Sequence, residues 1–169
     1  METRMSDEIK SFLHLIDEGF DKPGWHGPNL LGSLRRPSLD ELLFRPRKGG
    51  HNAWELALHC AYWKHTIRKR LLGETKGRFA LEGTNFFTRD KGATLADFKN
   101  DLAILKKAHR ELRATVEQLG PRTYGDPAKG SRHSVRRSVL GIAAHDIYHA
   151  GQISLLRRLA TGPGSVKGR

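Results

Sequence analysis

Cysteine is almost missing from this chain: Cys60 stands alone among 169 residues, so no disulfide can form within it. Long apolar runs are missing too. No stretch reaches the ~18 residues that a membrane-crossing helix needs. Residues Met1 to Lys10 are polar where a signal peptide would place its apolar core. A lone thiol without an export signal suits a reducing cytoplasm. There is no internal repeat and no strand-like alternation of any length, which leaves helices as the material of the fold. Acidic residues are few against basic ones, 18 to 30, for a net charge of +12. Such a surface could meet nucleic acid, an anionic membrane or an acidic small molecule. The cations collect in Lys64 to Arg70, Arg122 to Arg137 and Arg157 to Arg169, at helix ends, a loop and a tail. Cations at helix C-termini are favourable for local reasons. No recognition helix, zinc finger or RNA-binding signature accompanies them.

What is present is helical period and helical punctuation. Ser6 caps a first segment carrying Ile9, Phe12, Leu13 and Ile16, which Gly19 and Pro23-Gly24 should break. A short resumption over Asn29 to Leu34 follows. Ser38 with Glu41 three residues on makes a capping box before Leu42 and Leu43. A long helix is expected from His51 or Asn52 to Leu72, stopped by Gly73, with Leu56, Cys60, Trp63, Ile67 and Leu71 as its apolar stripe. Residues 73–93 are glycine-rich, a connection long enough to be either functional or partly disordered. A third long helix should run from Thr94 to Gly120-Pro121, with Leu95, Phe98, Leu102, Leu105, Leu112, Val116 and Leu119 inward. The last runs from Ser134 to Ala160, ended by Gly162 and Pro163. The expectation is an all-α, four-helix bundle of the up-and-down type, with a long loop between its second and third long helices. Residues 1–163 should form a single domain and 164–169 a frayed tail.

Of nine histidines, three stand out by placement. His145 and His149 are four apart, so they project from one face of the last helix. They interrupt the stripe Ser138, Ile142, Gln152 and Leu156, which otherwise faces the core. His59 interrupts the stripe of the second long helix in the same way. An inward imidazole without a partner costs free energy. One shared metal explains three such residues more economically than three separate accommodations. Bundles build metal sites from facing helices, and three protein ligands leave a coordination position open.

These residues carry a resemblance. His145-Asp-Ile-Tyr-His149-Ala-Gly-Gln152, with Ile153 and Leu155-Leu156-Arg157-Arg158 after it, resembles the C-terminal signature of the DinB-like metalloenzyme superfamily. His51-Asn-Ala-Trp54-Glu-Leu-Ala-Leu-His59-Cys-Ala-Tyr-Trp63 is similar to its second-helix motif, and Trp25-His26-Gly27-Pro28 to a motif of one branch. The resemblance implies a bundle, often a homodimer, with His59, His145 and His149 holding nickel, zinc or a similar divalent ion. It also implies a functional range: some members are transferases or isomerases using a low-molecular-weight thiol, and many have no known substrate. The family name lends no support to DNA binding.

The remaining candidates rank lower. His51 lies eight residues before His59, about 80° around the helix, and suits the helix start better than the site. His26, in a turn fixed by glycine and proline, is a candidate fourth ligand or substrate contact against the plainer reading of a satisfied loop histidine. Cys60 points about 100° from His59 and reads as a small buried apolar residue. Gln152 could meet a bound water or a subunit interface. Asp146 suits support of a neighbouring helix better than direct ligation. It takes the place of the glutamate of a zinc-protease helix, which argues against a peptidase. His65 suits packing or surface, and His14, His109 and His133 have no evident partner. The reading is a divalent-metal-binding protein, with thiol-dependent transfer as its chemistry and a small molecule or anionic thiol as its partner, met by Arg136 or Arg137 if these stand near the site. Non-catalytic metal binding is the alternative, and nucleic-acid binding ranks third.

Overall fold

The computed structural model describes residues 6–120 and 124–162, and among them there are six helices and no strand. Helix α1 (Asp7–Phe20) starts where the Ser6 hydroxyl accepts from the Ile9 N–H, with Asp7 and Glu8 in its positively polarised first turn. Two short helices follow. Asn29 caps α2 (Leu30–Ser33), and the Ser38–Glu41 capping box opens α3 (Leu39–Leu43) as the sequence predicts. A second box, Asn52 with Glu55, opens α4 (Ala53–Leu72), which Gly73 ends in the left-handed conformation at φ 68°. Thr94 and Asp97 do the same for α5 (Leu95–Glu117), and Ser134 caps α6 (Val135–Thr161). Each cap contributes about 1 kcal/mol, so the helix starts are written locally.

Helix α4 packs against α5 and α6, and α1 packs against the same two; α2 and α3 lie on α6. The apolar interior falls into two clusters, one around Trp54, Leu58, Leu105 and Ile153, the other around Ile9, Ile16, Leu112 and Val139. Burying each such side chain stabilises the fold by roughly 1.5–3 kcal/mol. The architecture is all-α, as expected.

Several local expectations need correction. Gly19 does not break α1. It is buried inside the helix, and a Cβ there would meet the Ala143 carbonyl oxygen at 3.1 Å, so the glycine lets α1 lie close on α6. The stripe expected on α4 is too narrow, because Trp54, Leu58 and Ala61 are buried as well. Lys64, counted above with the basic surface, is 1% exposed. Leu95, expected inward, is 50% exposed at the first position of α5. That helix ends at Glu117, before the expected stop; Pro121, Pro163 and the tail 164–169 lie outside the described residues. No helix is long and apolar enough to cross a membrane among the described residues.

The 73–93 segment is irregular yet tethered to α4. Arg45 bridges Glu55 (2.5 Å) and Asp90 (2.9 Å), while Glu55 also accepts from the Arg89 N–H (3.0 Å). The Asn52 side-chain amide donates to the Arg89 carbonyl (2.8 Å), and Phe87 is buried. These bonds fix the segment beside His59.

Candidate metal centre

Helix α4 supplies His59 and helix α6 supplies His145 and His149. Their Nε2 atoms converge: His145 Nε2 lies 3.1 Å from His59 Nε2 and 3.1 Å from His149 Nε2. Nitrogens bound tetrahedrally to one zinc ion lie roughly 3.3 Å from one another, so the spacing is close to that of one shared ion. His59 and His149 are buried and His145 is half-buried. His145 also falls in a second group with Cys60 and Asp146, whose possible ligand atoms lie within 4.8 Å of one another.

The far sides of two rings are engaged, and one contact settles a tautomer. His59 Nδ1 is 3.0 Å from the Asn85 carbonyl oxygen, which can only accept, so Nδ1 carries the hydrogen and Nε2 keeps its lone pair. Asn85 takes a left-handed backbone, φ 64°, and the Trp63 indole N–H donates to its side-chain oxygen (2.9 Å). That conformation, tolerated by asparagine, aims the carbonyl at the ring. On α6, His149 Nδ1 donates to Gln152 Oε1 (2.6 Å), and the Gln152 amide group donates to the Tyr148 hydroxyl (3.0 Å). Phe86 stacks on His59 at 4.2 Å, and His51 stacks on the other side of Phe86 at 3.6 Å.

Burial holds all three imidazoles below their ordinary range. It lowers His145 to about 3, with help from His149 and His59, and His149 to about 4, with help from His59. His59 is lowered too. At neutral pH the three rings are therefore uncharged, with Nε2 lone pairs on His59 and His149 pointing at His145. A hydrogen on His145 Nε2 could serve one of those contacts and leave the other as lone pair against lone pair. His145 Nδ1 is buried without a partner. The donor set fits a divalent cation, which satisfies all three nitrogens together.

The other candidates fall outside the cluster. His51 is separated from His59 by the Phe86 ring and faces Glu55 (3.3 Å). His26 does not join; its ring lies over Gly24, where a Cβ would meet Nε2 at 2.5 Å. His14 faces Glu18 on the surface, and His133 is exposed. His109 is buried and stacked on Phe20 at 3.6 Å. Arg136 is paired with Glu8 (2.6 Å). Cys60 is fully buried, and burial followed by the Asp146 carboxylate pushes its thiol well above the usual range. It behaves as the small apolar residue expected.

Sequence reasoning missed one functional neighbour. The Asp146 carboxylate, next to His145, accepts from the Lys64 ammonium, and both side chains are 1% exposed. Lys64 interrupts the apolar stripe of α4 one turn after Cys60, just as His59 does, so the same test would have found it. The pair ties α4 to α6 directly behind the histidines.

A family model of the DinB superfamily matches residues 25–153. That span is most of the chain, and the protein belongs to this superfamily. No curated protein and no solved structure matches it.

Proposed function

We propose that the protein holds one divalent metal ion, nickel or zinc, through His59, His145 and His149, and uses it with a low-molecular-weight thiol in a transfer or isomerisation reaction on a small molecule. The observation that carries this reading is the meeting of three uncharged Nε2 atoms, two of them with their Nδ1 hydrogens engaged elsewhere. A bound ion of this kind supplies Lewis acidity, lowering the pKa of a thiol or a water that reaches it. The chain does the rest. Asn85 and Gln152 hold two rings in register, Phe86 shields His59, and the Lys64–Asp146 pair fixes the spacing of α4 and α6. Tyr148, 63% exposed and hydrogen-bonded to Gln152, offers a hydroxyl at the solvent side of His149.

Non-catalytic metal binding is the second reading, favoured by one observation: the carboxylate beside His145, Asp146, is taken up by the Lys64 ammonium. The two readings part on thiol entry. Nickel-loaded protein should develop a thiolate-to-nickel charge-transfer absorption on adding a small thiol, absent in His149→Ala. Full nickel loading with no spectral response to any thiol would sink the transferase reading and leave the binding one.

We further propose a homodimer through α6 in a reducing cytoplasm, with residues 1–163 as one domain. Tyr148, Leu155 and Leu159 share one exposed face of that helix at spacings of seven and four. Sedimentation should give twice the chain mass, and the monomer in Leu155→Glu.

A further inference from the structure

The segment that touches His59 also walls a second, separate space. With α4 it encloses a cleft of about 780 Å³, within the ~300–1,000 Å³ typical of small-molecule sites. None of the three clustered histidines lines it. From α4 come Tyr62, His65, Lys69 and Arg70, spread over an arc of about 140° around the helix. From the segment come Arg78 and Phe79.

The two halves of this lining differ in chemistry. Tyr62 and Phe79 meet edge to face, 5.6 Å apart at 86°, and Phe87 backs Phe79 at 5.2 Å. That gives an aromatic wall held in place from behind. Lys69, Arg70 and Arg78 supply three cations, none with a carboxylate partner among the described residues. Lys69 donates to the Gly77 carbonyl (2.8 Å), and the Arg70 guanidinium lies 5.8 Å over the Trp63 ring. Both keep donors to spare. Two carboxylates also line the cleft, but Glu74 is paired with Arg68 (3.5 Å), which leaves Glu82 against the three cations.

His65 adds an unmet demand, because its Nε2 is buried with no hydrogen-bond partner. Burial, then Lys69 and Arg68, hold that imidazole below its ordinary range, so it is uncharged at neutral pH. Cations without carboxylate partners beside an aromatic wall suit a ligand that carries both a ring and an anion.

We propose that this cleft binds a small aromatic molecule bearing one carboxylate or phosphate group. The ring lies against Tyr62 and Phe79, and the anion sits among Lys69, Arg70 and Arg78. This site is independent of the metal reading and stands if that reading fails.

Phenyl phosphate is the probe, titrated into isotope-labelled protein and followed by amide chemical shifts. Saturable shifts are expected at Tyr62, His65, Arg78 and Phe79. Affinity should fall at least tenfold in Arg78→Ala, a change at an exposed position that spares the core, and in Phe79→Leu. His149→Ala should bind as the wild type does. Non-saturating shifts spread over the basic surface would overturn the proposal. So would equal affinity for inorganic phosphate, which would remove the aromatic wall from the account, or loss of binding in His149→Ala, which would move the probe to the histidines.

Discussion

Helices α4 and α6 bury two polar groupings side by side, and they differ in one respect. Lys64 and Asp146 pair donor with acceptor and charge with charge through one carboxylate oxygen, while the other, Oδ1, is buried without a hydrogen-bond partner. His59, His145 and His149 have no such pairing. Their second nitrogens are engaged where a partner exists, and their facing nitrogens can share at most one hydrogen between two contacts. A buried grouping in which opposite charges meet is structural. One that converges several lone pairs without a hydrogen to share among them is built for a ligand.

The largest effect should come from opening the charge-paired grouping. Lys64→Met leaves Asp146 buried and alone, and should destabilise the protein by roughly 3–5 kcal/mol in urea denaturation, while Lys64→Met combined with Asp146→Leu recovers most of that loss. A single variant as stable as the wild type would break the contrast. Opening the other grouping should look different. Metal-free His59→Ala is expected to lose only roughly 1–2 kcal/mol. It should also lose the whole stabilisation that nickel or zinc gives the wild type, about 4 kcal/mol at a thousandfold excess over Kd. Thermal melts with and without metal read both quantities.

Smaller effects sharpen the comparison. Gln152→Leu keeps all three imidazoles and removes the acceptor for the His149 Nδ1 hydrogen. Metal affinity should fall about 10–100-fold by competition titration, and an unchanged affinity would mean that the amide does not set the tautomer. A further effect concerns a buried histidine outside both groupings. Burial, then Lys64, hold His109 down to about 2, against 6.5 when unfolded. Its contribution is therefore complete above pH 6.5 and is lost as pH falls below it, because only the unfolded chain takes up the proton. Stability should drop by up to about 1.4 kcal/mol per pH unit from this group. His109→Phe, which keeps the stack on Phe20, should flatten that slope in melts between pH 6.5 and 4.5.

Much of this was legible in the sequence, and the reason is locality. Ser6, Ser38, Asn52, Thr94 and Ser134 cap helices through bonds to residues three ahead, so a local pattern finds them. His145 and His149 meet because a helix repeats every ~3.6 residues, and His59 betrayed itself by breaking an apolar stripe. What escaped was non-local or irregular. No period announces that Asn85, in a segment without regular structure, turns its carbonyl onto a ring 26 residues back. Lys64 looked like one cation of a basic run, and only its partner 82 residues away explains why it is buried. Gly19 looked like a helix breaker, because the close neighbour that requires it sits on another helix.

The most direct measurement is the metal content per chain of untagged protein, beside His59→Ala and His149→Ala, by elemental analysis with helicity checked by circular dichroism. One divalent ion per wild-type chain, absent from both variants at unchanged helicity, is the expected result. A wild type that is metal-free and cannot be loaded with nickel or zinc would contradict the proposal, and the three facing nitrogens would need another ligand.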